Sequence, residues 1–238
     1  MIGGRLVRSV AVLAALALPL AGAADSLLEK LLRVAGLTAA PAQMRGPGDE
    51  VEAGSIWVAH LERGSVSPVT LDSGYRSPIF SLADGSIFAL KGDTVVRIPP
   101  EGGKPAPVQR VTGVAKLVGF DGANPEEIVV LREGGGSPLG VLSLKTGKVT
   151  PLPYDATSAD QQRMLAQIRG QERLYGTTRV YVKTESKRGL SRAIEWTDVY
   201  MRRGDSTPQN VSGCDGVSCG QPALSPDGRR VAFVKADG

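Results

Sequence analysis

Gln221-Pro222-Ala223-Leu224-Ser225-Pro226-Asp227-Gly228-Arg229-Arg230-Val231-Ala232-Phe233-Val234 reads as strand, tight Asp-Gly turn, strand. Nearly the same pattern stands much earlier, in Ser77-Pro78-Ile79-Phe80-Ser81-Leu82-Ala83-Asp84-Gly85-Ser86-Ile87-Phe88-Ala89-Leu90. Two copies of one hairpin in one chain point to a repeat architecture. The expectation drawn from them is an all-β fold, a small β-propeller of four-stranded blades around a channel.

Working outward, Gly74 to Val111 divides into one blade. Its strands are expected near Ser77–Ser81, Ser86–Leu90, Thr94–Ile98 and Pro107–Val111. The second, Gly113 to Tyr154, has strands at Val114–Phe120, Glu127–Arg132, Leu139–Leu144 and Val149–Leu152. The third, Thr157 to Ser212, is expected at Arg163–Ile168, Arg179–Thr184, Ala193–Arg202 and Gln209–Ser212. It carries an insertion around Glu172–Gly176, and its Met164–Ile168 stretch reads equally as a short helix. Two half-blades remain: the C-terminal hairpin from Gly220, and an N-terminal one formed by Gly54–Leu61 and Val66–Leu71. Either alone leaves a bare sheet edge. Pairing them closes the last blade with both termini and gives about four blade-equivalents. An open arc completed by another chain, or a piece of a longer propeller, stays open beside the closed ring.

Ser225-Pro226-Asp227-Gly228 with its following strand resembles the Ser-Pro-Asp-Gly repeat of TolB-like propellers, whose blades are WD-repeat-like. Ser81-Leu82-Ala83-Asp84-Gly85 is a degraded copy, and Gly119-Phe120-Asp121-Gly122 a weaker one. The resemblance covers residues 54–238. It implies a channelled disc that binds partner proteins in the bacterial periplasm, and the same repeat occurs in propeller domains attached to peptidases.

The start of the chain supports export. Arg5 and Arg8 precede an apolar run from Val10 to Leu20, and Ala21-Gly22-Ala23 offers small residues for cleavage. The run is shorter than the roughly 20 residues a membrane span needs. Residues 1–23 are therefore expected to be a signal peptide, and the mature chain to lack a transmembrane segment. Residues 24–53 follow as a short amphipathic N-terminal helix and a linker. Leu27, Leu28, Leu31, Leu32 and Ala35 share one helix face, which packs on the domain or docks on a partner. In an oxidising compartment Cys214 and Cys219 are expected to form a disulfide. A loop that short contributes roughly 2 kcal/mol.

The formal net charge of +4 falls to +2 once Arg5 and Arg8 are removed, too little to suggest a nucleic-acid partner. Within 157–212, ten Lys and Arg stand against six Asp and Glu. Arg179, Lys183, Lys187, Arg188 and Arg192 form a possible binding face for an acidic partner or an anionic envelope polymer. The alternative is ordinary solvated strands. Trp57, Tyr75, Trp196 and Tyr200 are expected to pack blades or to line a binding face.

No catalytic set assembles on paper. His60 is the one histidine, in an alternating strand. Gly216-Val217-Ser218-Cys219-Gly220 has the letters of a nucleophile elbow, but Pro222 and a strand follow where that motif needs a helix. Lys145-Thr146-Gly147 fits a hairpin turn. Asp121, Glu126, Glu127 and Glu133 lack calcium-loop spacing, and neither Gly-rich phosphate pattern is present. The reading is a non-enzymatic exported module, periplasmic or secreted, that binds a periplasmic or envelope protein and needs no cofactor. A propeller portion of a secreted hydrolase or peptidase, and an envelope-glycan binder, are the alternatives.

Overall fold

The computed structural model describes residues 51–121, 124–169, 171–188 and 193–237. The proposed signal peptide, the helix at 25–36 and nearly all the linker lie outside them.

Four four-stranded antiparallel sheets are present. The strands in chain order are β1 (Ser55–His60), β2 (Ser65–Pro68), β3 (Tyr75–Phe80), β4 (Ile87–Lys91), β5 (Thr94–Ile98), β6 (Ala106–Arg110), β7 (Val114–Asp121), β8 (Asn124–Arg132), β9 (Leu139–Ser143) and β10 (Val149–Pro151). After helix α1 (Ala159–Arg169) come β11 (Glu172–Tyr175), β12 (Thr178–Arg188), β13 (Ala193–Arg203), β14 (Gln209–Asn210), β15 (Cys219–Leu224) and β16 (Arg230–Lys235). Blade one is β3 to β6, blade two β7 to β10, and blade three β11 to β14. Blade four runs β15-β16-β1-β2.

The last blade is thus built from both ends of the described chain. β1 pairs with β16 over its whole length, with Ile56 opposite Val234 and His60 opposite Arg230. Leu71 falls outside the outer strand and is fully exposed.

The two Asp-Gly hairpins close by side-chain chemistry. Ser225 Oγ accepts the Arg230 amide at 2.8 Å and lies 2.5 Å from Asp227 Oδ1. Gly228 supplies the positive φ of +69°. In the earlier copy Asp84 accepts the Ser86 amide at 3.0 Å, and Gly85 also has φ +69°.

Three of the four joints between blades are sheet-on-sheet. Blades four and one share a core around Ile56, Tyr75, Ile87 and Ala232. Blades one and two share Leu90, Leu117, Ile128 and Leu142. Blades three and four share Val180, Val199, Val231 and Phe233. The fourth joint is different: Met164, Leu165 and Ile168 of α1 enter the core of blade two beside Val118 and Val129. α1 also packs on β11, so a helix spans the seam between blades two and three.

This corrects the sequence reading of blade three. Arg163–Ile168 is helix, and the stretch read as an insertion holds the innermost strand. The helix has ordinary start and stop signals. The Gln162 amide donates to the Ser158 carbonyl, Asp160 sits in the first turn and Arg169 in the last.

At the inner strands the backbone takes an unusual course. Ser77, Gln171 and Gln221 have φ of +53°, +56° and +52°. Non-glycine residues are uncommon there. Ser77 and Gln221 each precede a proline and each sit at a break in strand register. Side chains lock the arrangement: Gln221 Oε1 accepts the Ser77 amide at 2.5 Å, and Gln171 Oε1 accepts the Gln221 amide at 2.6 Å. Gln221 Nε2 donates to the carbonyls of Val51 and Glu52.

Candidate functional site: the blade-three ladder and the axial cavity

β12 and β13 are 11 residues each, against 6 for each strand of the neighbouring β15–β16 hairpin. The excess of five residues is about 16 Å of ribbon. Its distal residues, Ser186 to Arg188 and Ala193 to Glu195, are exposed.

Register sorts the ribbon into two faces, because directly opposite residues of an antiparallel pair point the same way. One face carries Val180 with Met201 and Val182 with Val199, and its inner part is buried against blade four. The other pairs Arg179 with Arg202, Tyr181 with Tyr200, Lys183 with Asp198, Glu185 with Trp196, and Lys187 with Ile194. None of these belongs to a hydrophobic core cluster among the described residues. The second face therefore forms a half-open ladder at the seam that α1 spans.

Its groups brace one another. The Tyr181 and Tyr200 rings stack with centroids 6.1 Å apart, and Lys183 Nζ lies 4.9 Å above the Tyr200 ring. Glu185 accepts from Lys183 at 2.8 Å and from the Tyr200 hydroxyl at 2.6 Å. Those two bonds hold the Glu185 carboxyl below its ordinary pKa. The hydrogen bond to Glu185 also pushes the Tyr200 phenol up. Arg179 forms an ion pair with Glu172 and lies 5.4 Å from the Tyr181 ring centroid. Ile194 is 49% exposed at the outer end.

The cationic residues singled out in sequence divide accordingly. Arg179, Lys183 and Lys187 share the ladder face, with Arg179 and Lys183 already ion-paired. Arg188 points to the opposite face, and Arg192 lies outside the described residues. Of the aromatics, Trp196 and Tyr200 stand on the ladder. Tyr75 is buried, with its hydroxyl donating to Asp72 at 2.7 Å, and Trp57 packs beside the core of blades three and four. Sequence reasoning placed cations in this blade but missed the ladder, whose signal was the odd-residue spacing of Arg179, Tyr181, Lys183, Glu185 and Lys187.

Asp198 anchors the base of the ladder. It is buried and accepts from the Cys214 amide and Ser212 hydroxyl, both at 2.7 Å, and from Trp196 Nε1 at 2.9 Å. Burial pulls its pKa upward, but these donors outweigh it and the net direction is down. Cys214 and Cys219 are disulfide-bonded and both buried in the same core. A depressed folded pKa stabilises above the unfolded carboxylate value near 3.9, and that contribution is lost as pH falls through the folded value. Asp198→Asn is expected to lower stability by about 1–2 kcal/mol near neutrality. It should also flatten the loss of stability between about pH 5 and pH 2. Urea midpoints measured across that range check it: a slope equal to the parent's removes Asp198 from the account.

The second feature lies on the axis. Ile79 and Phe80 of β3, Gly119 and Phe120 of β7, Tyr175 of β11 and Leu224 of β15 surround a cavity of about 210 Å³, with Leu82 and Pro226 from the Asp-Gly turns at its rim. Each blade contributes the end of its inner strand, so the ring as a whole creates the cavity.

The catalytic letters do not converge. His60 and Ser218 sit at opposite ends of blade four, since β1 runs from Ser55, opposite Lys235, to His60, opposite Arg230. The Ser218 carbonyl accepts the Ala236 amide and its hydroxyl accepts the Thr197 amide, which fixes it at the Lys235 end. About five strand residues, roughly 16 Å, separate the two positions. Ser218 leads into a strand, so the strained strand-to-helix elbow is not formed. Among the described residues no group of three His, Cys, Asp or Glu could hold a metal ion, and no helix is long and apolar enough to cross a membrane.

No protein-family model matches the chain, and no curated protein matches it in sequence. Among solved structures, a protein designated TolB from Agrobacterium tumefaciens is similar at 17% identity and a TM-score of 0.32, over 76% of this chain and 61% of that one. The apo form of the AtxE2 isopeptidase is similar at 14% identity and a TM-score of 0.28, over 68% of this chain and 26% of that one. A puromycin hydrolase is similar at 14% identity and a TM-score of 0.26, over 70% of this chain and 26% of that one. This chain thus spans less than two thirds of the length of each. On its own sheets and registers, the chain is an all-β, four-bladed propeller whose last blade is completed by strands from both ends of the described residues.

Proposed function

We propose that this chain is an exported, TolB-like, non-enzymatic β-propeller that works as a protein-binding or scaffold module in the bacterial periplasm or cell envelope. The observation that supports it best is the blade-three ladder. A ribbon about twice the length of the β15–β16 strands beside it presents stacked tyrosines, Trp196 and an exposed Ile194 between cations, on a face outside the hydrophobic core clusters of the described residues. Aromatic residues flanked by charge are the composition of interface hot spots. Lys187 at the outer end suits an acidic patch on the partner. Residues 1–23 would direct the chain across the inner membrane and leave the two cysteines in an oxidising compartment.

A photoreactive residue at Ile194, in cells that export the protein, tests the reading. The expected result is one protein captured in stoichiometric amount. Trp196→Ala in the purified pair should weaken affinity by about 30-fold or more, as loss of an aromatic hot spot does. Lys187→Glu should weaken it without changing the melting temperature. Capture that both substitutions leave intact would overturn the ladder as the site. Retention on envelope glycan in place of a protein would turn the module into a glycan binder.

A further inference from the structure

β12 leaves part of one edge unpaired. Just before the strand, the Thr177 carbonyl accepts the Gly204 amide. Bonded and non-bonded positions alternate along an antiparallel pair. Odd-numbered residues of β12 therefore exchange hydrogen bonds with β13, and even-numbered ones turn their N–H and C=O away from it. β11 takes up these outward groups at Thr178 and Val180, and its pairing stops opposite Tyr181. From Val182 to Arg188 no strand lies on that side among the described residues. The opposite edge of the ribbon is capped instead. There the Thr197 and Val199 amides donate to the Ser218 and Ser212 hydroxyls, and the Val199 carbonyl accepts the Val211 amide. Thr184, Ser186 and Arg188 are exposed, so their outward main-chain groups are open to an added strand.

A bare edge is a template for another strand, and charge on it ordinarily keeps one away. Here the charges alternate in sign: Lys183, Glu185 and Lys187 stand in a row on the ladder face. The Lys183 and Tyr200 bonds to Glu185 both end on Oε1, so among the described residues no donor reaches Oε2. No acid pairs with Lys187 among the described residues. Two copies of β12 can pair about a two-fold axis only with outward-facing residues opposed. An axis at Glu185 sets Glu185 against Glu185 and Lys183 against Lys187, and an axis at Lys187 sets Lys187 against itself. An axis at Thr184 needs the Val180 edge that β11 already holds. The axis at Ser186 avoids both faults. Ser186 then meets Ser186, Thr184 meets Arg188, and each Lys187 meets the Glu185 of the other copy. The overlap ends at Thr184, short of β11, and forms roughly six main-chain hydrogen bonds.

We infer that the β12 edge from Thr184 to Arg188 is a self-association surface, to which a second copy of this chain adds its own β12 antiparallel about Ser186. The two ribbons become one four-stranded sheet with both ladders on the same face. No other protein is needed, so work with the purified chain alone separates this inference from the proposed docking.

Sedimentation equilibrium of the purified protein over a rising concentration series is the test. The average mass is expected to climb towards that of two chains. Lys187→Glu and Glu185→Lys each set like charges opposite one another, and each should weaken the dimer about tenfold or more. Mixed in equal amounts, the two variants should associate again, because each supplies the charge the other lacks. Ser186→Pro should melt with the parent, since the Ser186 N–H faces away from β13, yet stay at the mass of one chain. Ser186→Cys should cross-link two copies on oxidation, because opposed Cα atoms about 5.5 Å apart lie within disulfide reach. A parent that keeps the mass of one chain at every concentration overturns the inference and leaves the edge to a strand of a different protein. Self-association that survives Ser186→Pro overturns it too, as does an equal mixture of the charge variants that stays monomeric. Should Ser186→Pro lower the melting temperature, the mixture still decides.

Discussion

Val58→Pro is expected to open the ring. Val58 lies in β1 between two partners, Ala232 of β16 on one side and Ser67 of β2 on the other. Whichever way its amide points, proline deletes a ladder hydrogen bond and leaves an acceptor unmet, at about 1–3 kcal/mol. The Val58 side chain is also buried in the core shared by blades four and one, and shortening it adds about 1–2 kcal/mol. Together this is about 2–5 kcal/mol, a large share of the roughly 5–15 kcal/mol that holds a domain together. At this size each kcal/mol lowers the melting temperature by about 2–4 °C, so a fall of about 4–20 °C is expected by circular dichroism. Separation of β1 from β16 also bares two sheet edges, so the variant should form higher-mass species in light scattering. A variant that melts within a degree or two of the parent and stays at one mass would mean that the closing strand carries no stability.

Gln221→Leu is expected to have a comparable effect through a different route. One amide side chain ties three parts of the chain. Its oxygen accepts from the Ser77 amide of blade one, and its nitrogen donates to Val51 and Glu52, where the described chain begins. Leucine keeps the volume but strands a buried N–H and two carbonyls. The expected cost is about 3 kcal/mol, or a fall of about 6–12 °C in melting temperature. Gln221→Glu keeps the acceptor for Ser77 but sets a buried carboxylate oxygen against the Val51 and Glu52 carbonyls, so near neutrality it should be no more stable than the leucine variant. Amide exchange at Ser77, protected in the parent, should become fast in Gln221→Leu and stay slow in Gln221→Glu. If Ser77 exchanges equally in all three, the side chain is not its partner in solution.

The blades were legible where chemistry is local. Ser225 to Gly228 and Asp84-Gly85 announce turns because hydroxyl, carboxylate and glycine meet their geometric needs within six residues. The strand pattern of Ile56 to His60 and the apolar run of Val231 to Val234 after its Asp-Gly turn placed both closing strands on paper. Blade three was misread for a stated reason. A count of four strands per blade was imposed on Arg163–Ile168, although Ser158, Asp160 and Arg169 carry helix signals and no glycine or proline interrupts the stretch. The start of β13 at Ala193 was anticipated, but the run of β12 beyond Thr184 to Arg188 was not, because the outer half has no buried face to give it a hydrophobic period.

Hairpin positions, the approximate number of blades and the pairing of the two termini follow from the amino-acid order, because each depends on a few neighbouring residues or on the need to cover a bare edge. The helix in the seam, the lock of Gln221 on Ser77 across 144 residues and the half-open ladder were decided by the tertiary structure. The physical reason is that a side chain's partner across a blade interface is chosen by which faces the ring brings together, and nothing in its own stretch of chain names that partner.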